Sequence, residues 1–205
     1  MNFRETLADY RVLPVVTAIN VETTVQLAQA LSRAGMGAIE ITLRSDCALE
    51  AISAVQEAVP AITVAAGTVC QPADLDAAQL AGAEFMVSPG LTPALIEAAQ
   101  AAGAPLLPGV ASPSDVILGM QYGLSVFKLF PALAIGGMDL LRSLAGPFPE
   151  VLFCPTGGLT AENFRAFLAL PNVVCCGGSW MVASTLVQEL QWDMIEELAK
   201  QAMAD

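Results

Sequence analysis

Lys128 lies within Leu124-Ser-Val-Phe-Lys-Leu-Phe-Pro131, an otherwise apolar run rich in strand-forming residues. The chain has two lysines, and the other, Lys200, falls in a polar, acid-rich C-terminal segment. On a strand, Phe127 and Leu129 face one way while Val126, Lys128 and Phe130 face the other. One face therefore has to hold an ammonium group among hydrophobes, which is costly unless the amine is paired, reaches water or is neutral. A neutral amine is a nucleophile, and lysines that form Schiff bases are made by such desolvation. The competing reading is a strand-end lysine that extends its amine to solvent.

A second group of reactive side chains lies in Ala38-Ile-Glu-Ile-Thr-Leu-Arg44. Strand alternation puts Ile39, Ile41 and Leu43 on one face and Glu40, Thr42 and Arg44 on the other. Glu40 and Arg44 either pair with each other or converge with Lys128 on one site. Two glycine pairs follow late in the chain, Thr156-Gly157-Gly158 and Gly177-Gly178-Ser179. Glycine lets backbone N–H groups approach an anion, and a following helix N-terminus adds a favourable dipole, so these loops are candidates for holding a phosphate. Tight turns also need glycine, which is the simpler explanation of either pair alone.

The chain has no histidine. Ser-His-Asp and Cys-His nucleophile schemes are therefore absent, as is any imidazole-held zinc or iron. Acid–base work falls to carboxylates, lysine or tyrosine. No aspartate cluster at loop spacing favours a magnesium site.

Short strand-like runs recur near Val15, Ile41, Val64, Met86, Leu106, Phe127, Phe153 and Val174. Between them lie alanine-rich segments of helical spacing, such as Val21, Val25, Ala28 and Leu31. Pro72, Pro93 and Pro113 suit first helical positions, Thr160 suits a helix start, and Gly35, Gly82, Gly103 and Gly123 suit left-handed helix ends. Eight strand–helix units predict a single-domain (β/α)8 barrel over residues 1–205, with an extra N-terminal helix around residues 2 to 11. A doubly wound open sheet shares the alternation and is the main rival. In a barrel the catalytic groups sit at the C-terminal strand ends, where Thr17, Glu40, Arg44, Thr68, Pro89, Pro108-Gly109, Lys128, Thr156 and Ser179 all fall. Met36, Met86, Met120 and Met138 read as core filler, Trp180 and Trp192 as packing, and Tyr122 as a residue without an evident partner.

Eight basic against twenty acidic residues give a net charge of -12, which argues against nucleic acid and anionic membranes as partners. The N-terminus lacks the apolar stretch of a signal peptide, and no run is long enough to span a bilayer. Five cysteines without C-x-x-C spacing read as reduced residues of a cytoplasmic protein, with Cys175 and Cys176 on opposite faces of a strand.

Taken together, Glu40-Ile-Thr-Leu-Arg44, Ala66-Gly-Thr-Val69, Val87-Ser-Pro-Gly90, Phe127-Lys-Leu-Phe-Pro131, Phe153-Cys-Pro-Thr-Gly-Gly158 and Gly177-Gly-Ser-Trp180 resemble the bacterial 2-keto-3-deoxy-6-phosphogluconate (KDPG) aldolases, a family that also handles 4-hydroxy-2-oxoglutarate. The resemblance runs in order along essentially the whole chain. It implies a class I aldolase barrel, a homotrimer, with no metal and no cofactor, acting on a small keto-acid phosphate. It makes Lys128 the Schiff-base lysine and Glu40 the general acid/base. Arg44 and Thr68 would hold the pyruvyl carboxylate, Pro89 would line the site, and Thr156, Gly157, Gly158, Gly178 and Ser179 would form the phosphate loops. One position departs from the family's pattern: after Phe130-Pro131-Ala132, where members often carry glutamate, this chain has Leu133. A 6-phosphogalactonate stereoisomer as substrate, and a non-catalytic barrel that binds a sugar phosphate, are the alternative expectations.

Overall fold

The computed structural model describes residues 3–204. Helix α1 (Phe3–Tyr10) precedes an alternation of parallel strands and helices: β1 (Val12–Val16), α2 (Val21–Arg33), β2 (Ala38–Thr42), α3 (Ala48–Ala58), β3 (Thr63–Gly67), α4 (Pro72–Leu80), β4 (Phe85–Val87) and α5 (Pro93–Ala102). There follow β5 (Leu106–Leu107), β6 (Gly109–Val110), α6 (Pro113–Gln121), β7 (Val126–Leu129), α7 (Gly137–Ala145), β8 (Leu152–Pro155), α8 (Phe164–Leu168), β9 (Cys176–Gly178), α9 (Ser184–Gln188) and α10 (Trp192–Met203). Position 2 of the expected N-terminal helix lies outside the described residues.

Six strands pair in the order β5-β4-β3-β2-β1-β9, and three in the order β6-β7-β8. The expected single fifth strand is interrupted at Pro108, which has no N–H to donate to a ladder. Its carbonyl still accepts from Lys128 N at 2.9 Å, and Gly109 continues as β6 beside β7. Pro108-Gly109, expected at a strand's C-terminal end, thus lies within the strand path. The strand expected around Val174 forms later, at Cys176–Gly178, and the residues before it meet β8 through the bridge Phe153↔Val173. A second bridge, Thr156↔Gly177, also joins these two segments.

The strands divide two cores. Ile39, Ile41, Val64, Phe127, Leu129 and Phe153 pack outward against the helices, as do Leu27, Leu31 and Ile52 from the helix side. The smaller core, facing inward, holds Leu13, Ala38, Ala65, Val87, Val126 and Cys154, and Leu7 and Tyr10 of α1 cover it from the N-terminal end. Cys175 belongs to the inner core and Cys176 to the outer, so alternation separates the two thiols as expected. Hydrogen bonding to Cys154, and after it burial, push the Cys175 thiol up, and burial does the same to Cys176.

Several local signals act where they were expected. Pro72, Pro93 and Pro113 open α4, α5 and α6, and Gly35, Gly82, Gly103 and Gly123 all have positive φ at helix ends. Others do not. Thr160 starts a turn, its N–H donating to Asn163 Oδ1 at 2.8 Å, and α8 begins only at Phe164. Met120 is exposed rather than core, and the Tyr122 hydroxyl donates to Glu97 across the α5–α6 surface at 2.9 Å. Trp180 packs as expected, stacked on Phe164 with ring centroids 5.0 Å apart.

Candidate functional site

Lys128 of β7 and Glu40 of β2 meet between the two sheets, on their inward faces. Each lies two residues beyond an apolar inward position, Val126 on β7 and Ala38 on β2, so both stand one step above the apolar floor. Nζ of Lys128 donates to Glu40 Oε1 at 3.1 Å and Oε2 at 3.3 Å. The two side chains are only 6% and 2% exposed, so the lysine does not run to solvent and the glutamate does not pair with Arg44. Burying two charges costs roughly several kcal/mol per ion before their attraction is counted, and an apolar pair of similar volume would serve the fold as well. The pair is better explained by chemistry than by stability. The Phe130 ring, 5.4 Å from Nζ, covers the amine on one side.

Gly67 makes room for the carboxylate. A Cβ on this residue, the last of β3, would collide with Glu40 Oε1 and lie 2.7 Å from its Cγ. The next residue, Thr68, adopts a left-handed φ of 62°, which is uncommon for a β-branched side chain and marks a strained turn at the strand end. Pro89 is exposed in the loop after β4, where Ser88 Oγ donates to Gly90 O at 2.6 Å. Gly109 lets that loop lie against β6, since a Cβ there would collide with the Pro89 backbone.

Arg44 projects from the end of β2, and its Nε donates to Thr42 Oγ1 at 3.1 Å. Together with Thr17, Ser179 and Ser184 it lines a cavity of about 200 Å³. The structure thus puts Arg44 and Ser179 on one opening.

The glycine loops lie at the same ends of β8 and β9. Gly157 and Gly158 have φ of 100° and 85°, values that only glycine adopts without strain. The loop after β7 is fastened to them, with Ala132 N donating to Thr156 O at 2.8 Å and Leu133 N to Gly157 O at 3.1 Å. Leu133, 46% exposed, lies over Gly158. Gly177 accommodates the Thr156 hydroxyl and Gly178 the Trp180 ring. Thr156 is buried, its hydroxyl 3.4 Å from Cys154 O, while Ser179 is exposed. One expectation fails here: no helix N-terminus follows either pair directly. α8 starts at Phe164, and Ser179 leads into the short 3-10 turn Trp180–Val182. Anion binding at these loops would rest on backbone N–H groups and the Ser179 hydroxyl instead of a helix dipole.

Gly67 and Gly109 were visible in the sequence only as strand-end glycines. Their reasons are contacts with Glu40 and Pro89, which no local signal encodes. Among the described residues, no group of three or more His, Cys, Asp or Glu side chains is placed to hold a metal ion.

A family model described as "KDPG and KHG aldolase" matches residues 3–198. The chain belongs to that family. It is 45% identical over 192 residues to the KHG/KDPG aldolase of Escherichia coli K12, covering 94% of this chain and 90% of that protein. To the 2-dehydro-3-deoxy-phosphogluconate aldolase of Dickeya dadantii it is 45% identical, covering 94% of this chain and 91% of the relative. Among solved structures, KDPG aldolase from Legionella pneumophila, with pyruvate captured as a covalent carbinolamine intermediate, superposes with a TM-score of 0.96 at 39% identity, covering 98% of each chain. The KDPG aldolase of Zymomonas mobilis with 3-phosphoglycerate superposes with a TM-score of 0.92 at 44% identity, covering 98% of this chain and 95% of that one.

Proposed function

We propose that the protein is a class I aldolase that cleaves KDPG to pyruvate and glyceraldehyde 3-phosphate and also acts on 4-hydroxy-2-oxoglutarate. The observation that carries this is the buried Lys128–Glu40 pair at the strand ends of a chain in the KDPG and KHG aldolase family. The carbinolamine captured in the Legionella relative supports the same chemistry.

Lys128 gives up a proton to Glu40 and its neutral amine attacks the C2 ketone. Glu40 returns that proton to the carbinolamine hydroxyl, which leaves as water to give a protonated imine that acts as an electron sink. Glu40, as a carboxylate, removes the proton of the C4 hydroxyl. The C3–C4 bond breaks, its electrons pass into the imine to form an enamine, and glyceraldehyde 3-phosphate leaves. Protonation of the enamine at C3 and hydrolysis of the imine release pyruvate and restore the amine. Arg44 and Thr68 hold the pyruvyl carboxylate, Pro89 lines the site, and the Gly157-Gly158 and Gly178-Ser179 loops, with Thr156 supporting the first of them, take the phosphate.

In this reading the two sheets are one (β/α)8 barrel in a single domain over residues 1–205, continuous through Pro108 and through the β8–β9 bridges, and α1 is its extra helix. The protein works in the cytoplasm as a homotrimer without a cofactor. The test is a substrate panel on the purified protein. KDPG and 4-hydroxy-2-oxoglutarate should both yield pyruvate, and Ser179→Ala should weaken KDPG more than the unphosphorylated substrate. A clear preference for 2-keto-3-deoxy-6-phosphogalactonate would replace the substrate assignment, and equal losses in Ser179→Ala would remove the phosphate role.

A further inference from the structure

We infer that Thr42 is a positioning residue that holds Arg44 in the orientation needed to receive the substrate carboxylate. The inference rests on the reading of Arg44 as that carboxylate's partner. Thr42 is the last inward position of β2, and at 2% exposure its hydroxyl cannot turn to water. That hydroxyl has three partners: Val16 O at 2.9 Å, Thr17 Oγ1 at 3.0 Å and Arg44 Nε at 3.1 Å. A threonine hydroxyl has one proton to give and two lone pairs to accept with. A carbonyl only accepts and a guanidinium only donates, so the Thr42 proton goes to Val16 O and one lone pair takes the Arg44 Nε–H. The Thr17 contact is then satisfied only with Thr17 as donor.

The consequence is directional. The Val16 carbonyl belongs to β1, so the orientation of the Thr42 hydroxyl is fixed by backbone rather than by another mobile side chain. A threonine needed only by the core would require one bond to that carbonyl; this one is saturated. Arg44 is an exposed, many-rotamer side chain, and tethering its Nε restricts the plane of the guanidinium at the mouth of the site. The terminal nitrogens are the ones suited to a two-pronged bond with a carboxylate, and the tether leaves those free of the Thr42 contact.

Thr42→Val keeps the shape and the strand preference and removes the hydroxyl. Steady-state kinetics with KDPG should show KM raised about tenfold and kcat changed by less than about twofold, because the loss is in binding shared by ground and transition states. Thr42→Ser, which keeps the oxygen, should stay near the parent enzyme. In an Arg44→Lys background, which has no donor at the ε position, Thr42→Val should add nothing further. Independent, multiplying losses in that double variant, a Thr42→Ser enzyme as impaired as Thr42→Val, or a fall in kcat with KM unchanged would each overturn the inference. Arg44→Ala separates the two levels. If it leaves KM for KDPG unchanged, the carboxylate reading itself is wrong and the inference falls with it. If it raises KM while Thr42→Val does not, only the positioning role is wrong.

Discussion

With Nζ of Lys128 held 3.1 Å from a carboxylate oxygen and both groups out of water, proton transfer between them needs no movement of the chain. In the proposed mechanism this short distance is what lets Glu40 take a proton from the amine. Glu40→Gln keeps the shape and removes the base, so it should lose most KDPG cleavage, about 100-fold or more, while pyruvate can still be trapped to some extent. Wild-type turnover in that variant would take Glu40 out of the mechanism. Gly67 is the neighbour whose size matters most, because a methyl group there occupies the space of the Glu40 carboxylate. Gly67→Ala should therefore displace Glu40 and cut kcat at least about tenfold, a shift of more than about 1.4 kcal/mol in the barrier; a fully active Gly67→Ala enzyme would show that the carboxylate position is not critical.

At the scale of elements, strand alternation does most of the positioning. On β2 it sends Ile39 and Ile41 to the helices and Glu40 and Thr42 inward, and on β7 it separates Phe127 and Leu129 from Lys128. That much was legible in the sequence, because a period of two needs only residue types. The glycine helix ends were legible for the same local reason. Three features were not. The break at Pro108, the absence of helix N-termini after the glycine pairs and the role of Gly67 depend on what a segment meets far along the chain. Away from the site, α2 is joined to α10 by Glu196, which accepts from Arg33 Nε at 3.0 Å and Lys200 Nζ at 2.8 Å. Lys200 first and Arg33 second lower the Glu196 carboxyl below its ordinary value of 4.5. A depressed carboxyl stabilises the fold above its unfolded pKa and loses that contribution as pH falls through its folded pKa. Thermal melts of Glu196→Gln should accordingly lie below the parent near neutral pH and converge with it in acid. A constant offset at every pH would exclude this linkage.

The molecule as a whole carries a charge of -12, so an anionic keto-acid phosphate approaches against its overall field. Local arrangement has to overcome that field, and the structure gathers Arg44, Ser179 and two glycine turns at the strand ends for the purpose the proposal assigns them. The α1 helix packs Leu7 and Tyr10 into the inner core, away from the residues gathered at the strand ends. The lysine, the glutamate and the arginine were recognisable from the sequence as out of place among hydrophobes; that Glu40 takes Lys128 and leaves Arg44 to Thr42 is set by a contact across the interior between positions 88 residues apart. The central claim is that this interior amine forms an imine with substrate. Borohydride reduction in the presence of pyruvate, followed by peptide mass analysis, tests it most directly. The account predicts a stable reduced pyruvyl adduct on the peptide carrying Lys128, absent without pyruvate. An active enzyme that gives no adduct there, or gives it on the peptide carrying Lys200, would contradict it.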